Sequence, residues 1–264
     1  MLSEVLTFIF FILIGLEIRE GLNNPKQAIV PAVAALGGMI FPALIFLALI
    51  PSSSAWAVAM PTDVALAIGA LSILGRRVNP AVRLFLLTLA VADDFFSLVI
   101  IGIFFRNDLH LASAIYTLGA AAIGFVLPMR QRLISMLSPI STFVIIPVYI
   151  FINLLTKLDF TFSTDKLSMA VVIARVLGKV AGITLFTLII TRYTILKLPS
   201  ELHLKEVVGI GFLAGMGLTV SLVIAEITMK TDIELAQVRI GLFFAAIISG
   251  LCGIAWLKRF PVSQ

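Results

Sequence analysis

The chain has 264 residues, 61% of them hydrophobic and 12% charged, with a formal net charge of +5. Soluble domains carry about a quarter charged residues, so this composition excludes a soluble globule and assigns residues 1–264 to a single membrane domain. The positive balance does not point to nucleic acid either, because the basic residues sit singly or in small groups between apolar runs, where they orient helices.

Apolar runs long enough for a hydrocarbon core of about 30 Å lie near residues 3–17, 28–50, 55–74, 83–105, 111–128, 139–156, 167–191, 206–228 and 236–257. They predict an all-α polytopic protein of about nine transmembrane helices. The first run begins almost at Met1, without a basic n-region or a small-residue cleavage site, so no signal peptide is expected. Basic-rich and basic-poor loops alternate, twelve Lys and Arg on one side and five on the other, which puts the C-terminus in the cytoplasm and the N-terminus outside.

The third run is interrupted by Pro61-Thr62-Asp63. Proline removes a backbone donor and breaks the helix, so freed carbonyls and a carboxylate meet at one place. The fourth holds Asp93 and Asp94 at its middle, where each charge costs about 2.5–3.5 kcal/mol on insertion scales. Adjacent carboxylates at that depth repel unless one holds a proton or both meet a cation, and a site exchanging protons for a metal cation supplies both conditions. The competing reading is a pair that caps a helix end at the interface.

In the seventh run Lys179 follows Gly178. Its ammonium either pairs with an intramembrane carboxylate or snorkels to the interface. Arg175 sits one turn earlier on the same face, where two cations repel, and either pairs with a carboxylate or lines an aqueous funnel. The eighth run carries Gly209, Gly211, Gly215 and Gly217 with Thr219 and Ser221, residues that permit unwinding and offer hydroxyl ligands, or simply pack helices closely. Interrupted segments in both halves are a transporter pattern. In the ninth, the lone Cys252 has no disulfide partner and no zinc-type spacing, and reads as a packing residue. His110 and His203 fall in loops and read as solvated. No phosphate-binding glycine loop occurs, so no cofactor is expected.

The motifs Pro61-Thr62-Asp63-Val64-Ala65-Leu66-Ala67-Ile68-Gly69, Ala92-Asp93-Asp94, Leu177-Gly178-Lys179 and Gly211-Phe212-Leu213-Ala214-Gly215-Met216-Gly217-Leu218-Thr219-Val220-Ser221 together resemble the NhaA sodium/proton antiporters. Phe10-Phe11-Ile12-Leu13-Ile14-Gly15-Leu16-Glu17 and Gly37-Gly38-Met39-Ile40-Phe41-Pro42-Ala43 fit the same family, which itself exemplifies the inverted-repeat architecture. The likeness covers most of the chain. It implies two inverted repeats, residues 28–105 and 167–257, whose interrupted members cross at the ion site. It also implies a shortened member, lacking the family's first helix with the following hairpin, and a central helix pair beyond Asn107-Asp108-Leu109.

Carried over by resemblance, Asp94 is the principal ligand of sodium and of the proton, and Asp93 is the neighbour that pairs with Lys179. Asp63 and Thr62 belong to the helix crossing, where positive half-helix ends favour a carboxylate and negative ends a cation. Glu17, with Glu4 on the same helix, lies on the path to a cytoplasmic mouth associated with pH response. Four features depart from the family pattern: Tyr116 for a histidine, Val180 for a proline, the unexpected Arg175, and Glu17-Ile18-Arg19-Glu20 without its usual extra basic residue.

The implied function is extrusion of Na+, with Li+ as a second cation, in exchange for external H+ across a bacterial inner membrane. The transported sodium on Asp93 and Asp94 is the one metal expected, and the chain is not expected to be an enzyme. A homodimer stays open, since the family's dimer hairpin is absent. Rival readings are a non-transporting homologue and a sodium-coupled organic-anion symporter of related fold. Asp93-Asp94-Phe95-Phe96-Ser97 starts like a prenyl-transferase motif but lacks the third acid, and no Tyr-Asp or Gly-x-Gly-Asp context of an intramembrane protease occurs.

Overall fold

A computed structural model of the chain describes residues 8, 9, 12, 16, 25–51, 53–75, 78–104, 119–120, 122–126, 146–158, 160–162, 164–199 and 201–259. In chain order the helices are α1 (Pro25–Leu49), a 3-10 helix (Ser54–Ala59), α2 (Val64–Ile73), α3 (Pro80–Phe104), α4 (Ile146–Asn153), α5 (Lys166–Tyr193), α6 (Leu204–Ala214), α7 (Thr219–Thr228) and α8 (Asp232–Lys258). Short 3-10 turns at Leu155–Lys157 and Phe160–Phe162 join α4 to α5. No strand occurs among the described residues.

Five stretches are long and apolar enough to span a bilayer: Ala28–Leu49, Ser54–Ile73, Pro80–Phe104, Lys166–Tyr193 and Asp232–Lys258. The pair α6 and α7, bent by 48° at its break, makes a sixth. The protein is therefore an all-α polytopic membrane protein. The expected first and fifth segments fall largely outside the described residues, as do Glu4, Glu17, His110 and Tyr116.

Several helices begin earlier than their apolar runs, α3 and α8 by a capped first turn. α3 starts at Pro80, whose missing N–H costs nothing at a first helical position, and Asn79 Oδ1 accepts from the Ala81 N–H at 2.8 Å. α8 starts at Asp232 because Thr231 Oγ1 accepts from the Glu234 N–H at 3.2 Å. Asp232 and Glu234 in its first turn complement the helix dipole. Hydropathy is blind to both caps.

The most extensive packing joins α1 to α5. A Cβ on Gly182 of α5 would overlap the carbonyl oxygen of Gly37 on α1, so the two backbones meet at a distance that only glycine permits. Phe41 and Phe186 close the seam edge to face, with ring centroids 6.2 Å apart. Two apolar clusters fill the interior. One gathers Phe46, Val58, Val171, Ala174 and Leu222; the other gathers Leu71, Leu86, Ile183, Ile190 and Ile210. Along α5 the first cluster ends at Ala174 and the second begins at Ile183, and between them lie Arg175 and Lys179.

Both interruptions expected from proline and glycine are present. The first interrupted stretch, Ser54–Ile73, changes from 3-10 to α-helix through the unwound Met60–Asp63, and the second unwinds over Gly215–Leu218 between α6 and α7.

Candidate functional site

Asp63 is the N-cap of α2, with extended backbone at φ −108° and ψ 106°. Its Oδ1 accepts from the Ala65 N–H at 3.1 Å and the Leu66 N–H at 3.2 Å. Its Oδ2 reaches the other interruption, accepting from Thr219 Oγ1 at 2.9 Å and the Thr219 N–H at 3.3 Å. One carboxylate thus sits at the N-terminal ends of α2 and α7, whose dipoles favour a negative charge. It is 3% exposed, and backbone and hydroxyl donors occupy both of its oxygens.

Thr62 turns the other way. Its Oγ1 accepts from Lys179 Nζ at 2.8 Å, and the same ammonium donates to Asp93 Oδ2 at 3.0 Å. The Lys179 and Asp93 side chains are both fully buried. Of the two readings of Lys179, pairing holds and snorkelling does not. Asp93 and Asp94 lie in the interior of the 25-residue α3, so they do not cap a helix end. Asp94 is 5% exposed and is turned about 100° around the axis from Asp93. Asp93 Oδ1 and the hydroxyl of Ser97, one turn further on, are buried without a hydrogen-bond partner among the described residues. Ser97 carried no functional signal in the sequence. Other helical hydroxyls, such as Thr88 and Thr187, donate to the carbonyl four residues back, as Thr88 does to Leu84 at 2.9 Å, whereas Thr184 and Ser249 share Ser97's lack of a partner among the described residues.

Arg175 differs from the sequence expectations: it is completely buried and, among the described residues, its hydrogen bonds go to carbonyls and a hydroxyl rather than to a carboxylate. Its Nη1 donates to the Val58 carbonyl at 2.7 Å and to Ser221 Oγ at 2.6 Å, Nη2 to the Pro61 carbonyl at 2.7 Å, and Nε to the Gly215 carbonyl at 3.3 Å. The side chain is completely buried. Gly217 makes room for it, because a Cβ there would collide with both the guanidinium and the Pro61 carbonyl. These backbone acceptors could not be found from side-chain identity.

The buried charges at the crossing are three carboxylates, Asp63, Asp93 and Asp94, and two cations, Arg175 and Lys179. A different pair sits further along α7. Arg239 lies in the second turn of α8, 8% exposed, with Nη2 3.5 Å from Glu226 Oε1. Near it an open cavity of about 840 Å³ lies between the end of α1 and the start of α5, lined by Ser53, Ser54, Asp165, Lys166, Lys230 and Glu234. It is lined by the start of the 3-10 helix and by neither of the paired aspartates. His203 is exposed beside Glu206, and Cys252 is a free, half-buried thiol.

A sequence profile of the family described as Na+/H+ antiporter 1 matches residues 1–132 and 125–257. The Na(+)/H(+) antiporter NhaA 2 of Aliarcobacter butzleri is 29% identical over 318 positions, covering 96% of this chain and 80% of that protein. The Na(+)/H(+) antiporters NhaA of Salmonella typhimurium and Citrobacter koseri are each 29% identical over 319 positions, covering 97% of this chain and 82% of theirs. These alignments are longer than the 264-residue chain, so the relatives carry internal residues with no counterpart here.

Proposed function

The chain belongs to the Na+/H+ antiporter 1 family, and from that premise we propose that it exchanges cytoplasmic Na+, with Li+ as a second cation, for external H+ across a bacterial inner membrane. The observation that carries this reading is the charge balance at the crossing. Asp63 and Arg175 are both held by the ends of the interrupted helices, and among the described residues Lys179 is the buried cation hydrogen-bonded to the paired aspartates, through Asp93. With all three ionised the set is one negative charge in excess, and an uncompensated buried charge is costly. One proton or one monovalent cation removes that excess, and the two exclude each other.

The resemblance gives this role to Asp94, next to the Asp93 that Lys179 engages. Asp93 Oδ1 and Ser97 Oγ are further oxygens on the same helix that a desolvated sodium ion could recruit. Cation arrival weakens the hold of Lys179 on Asp93, and proton arrival at Asp94 expels the cation. In this scheme residues 28–105 and 167–257 are the inverted repeats that carry the site alternately to each side, each loaded state facing one compartment. The expected pH response at Glu17 lies outside the described residues.

Expression of the chain in a sodium-sensitive, antiporter-deficient bacterium tests the reading. Everted vesicles should show sodium-dependent proton movement, and Asp94→Asn should abolish it, since an amide neither releases a proton nor balances sodium. An abundant, inserted wild-type protein without flux from neutral to alkaline pH contradicts antiport. Full flux in Asp94→Asn contradicts the assigned ligand.

A further inference from the structure

The guanidinium of Arg175 is the one buried cation at the crossing, among the described residues, that the exchange scheme does not use. We propose that Arg175 is a positioning residue: its guanidinium is the built-in cation of a four-oxygen cage that ties the two interrupted segments into one unit. The consequence for transport rests on the antiport reading; the cage itself does not.

Two of the four acceptors, the Val58 and Pro61 carbonyls, belong to the first interrupted segment, and two, the Gly215 carbonyl and Ser221 Oγ, to the second. Val58 lies in the last turn of the 3-10 helix, Pro61 follows it, and Gly215 is the C-cap of α6, so three carbonyls sit at or just beyond helix C-termini. Such ends carry partial negative charge and attract a cation. Asp63 is the counterpart, one anion at the N-terminal ends of α2 and α7. The crossing is thereby neutralised from both sides by fixed side chains.

A planar fork suits this cage. All three guanidinium nitrogens donate, in separate directions, to oxygens of different chain segments, whereas a lysine has a single donor atom on a flexible stem. Arginine also stays charged at every pH a protein experiences. Lys179, one turn further along α5, donates instead to Thr62 Oγ1 and Asp93 Oδ2. The two cations therefore divide the work, Arg175 holding the backbone and Lys179 facing the acids. Occupying the cage also denies those oxygens to the transported ion, which confines exchange to the aspartates. Gly217 belongs to the same device, since no side chain fits between the guanidinium and the Pro61 carbonyl.

Thermal unfolding of the purified protein and its sodium kinetics, with dilute guanidinium ion added or omitted, test this assignment. Arg175→Ala is expected to lower Tm and to reduce the maximal rate about tenfold or more, while KM for sodium stays near the wild-type value. Guanidinium should restore both Tm and rate, and the neutral, similarly shaped urea should restore neither. Arg175→Lys should restore only part, with no response to guanidinium. Where Arg175→Ala does not fold, Arg175→Lys decides the matter, because wild-type Tm and rate in that variant overturn the need for a fork. A raised KM at unchanged maximal rate in Arg175→Ala also overturns the proposal, as it places the side chain at the ion. So does a variant whose lost Tm responds equally to urea. If the wild type carries no sodium flux, antiport fails alone, and the unfolding measurements still decide whether the cage exists.

Discussion

Lys179 and Asp93 form an ion pair 3.0 Å apart with neither side chain exposed, a geometry in which losing one partner matters more than losing both. Removing either by Lys179→Met or Asp93→Asn should destabilise the protein by about 3–5 kcal/mol, because a buried charge or its hydrogen-bonding partner is left uncompensated. The double variant should lose clearly less than the two single losses together. Thermal unfolding in detergent measures all three, and additive losses would remove the pairing. These residues were legible in the sequence because a charge inside an apolar run demands a partner, and few partners were on offer. Arg175 was equally visible but not interpretable. Its acceptors are the carbonyls of Val58, Pro61 and Gly215, which every residue possesses, so no spacing of side chains announces them.

The interrupted helices were legible for a different reason: Pro61 and the run of glycines from Gly209 to Gly217 are backbone signals, which a side-chain pattern retains. Hydropathy merges each broken pair into one apolar run and hides both the unwound residues and the 48° bend between α6 and α7. It also shortened α8, whose capped first turn is polar. The close approach at Gly217 leads to a sharp contrast. Gly217→Ala should lower Tm and abolish flux, because the added methyl meets the Pro61 carbonyl and the anchored guanidinium, neither of which can move away. Gly69→Ala, within α2, finds nothing within 4 Å of its new Cβ and should raise stability by about 0.5–1 kcal/mol through helix propensity. Parallel unfolding curves of the two variants check this. Equal shifts would mean that the crossing is looser than the contacts at Gly217 imply.

Two apolar clusters separated along α5 by Arg175 and Lys179 give the molecule a polar layer between apolar ends, with carboxylates and cations that nearly cancel. The membrane class followed from composition alone. The meeting of α5 with the two interruptions did not, since it depends on close contacts such as Gly217 with the Pro61 carbonyl and the Arg175 guanidinium. If one proton and one sodium compete for the remaining charge, the apparent affinity for sodium must fall as pH falls. KM should rise by about tenfold for each pH unit below the titration of the site, with the maximal rate less affected. A KM independent of pH would remove the competition. Proton release on sodium binding probes the central claim most directly, using the purified protein in weakly buffered detergent solution with a pH-sensitive dye. Sodium, but not choline, should release protons in proportion to the ion bound, and Asp94→Asn should release none. Sodium binding without proton release, or release undiminished in Asp94→Asn, would contradict a single carboxylate site shared by the two ions.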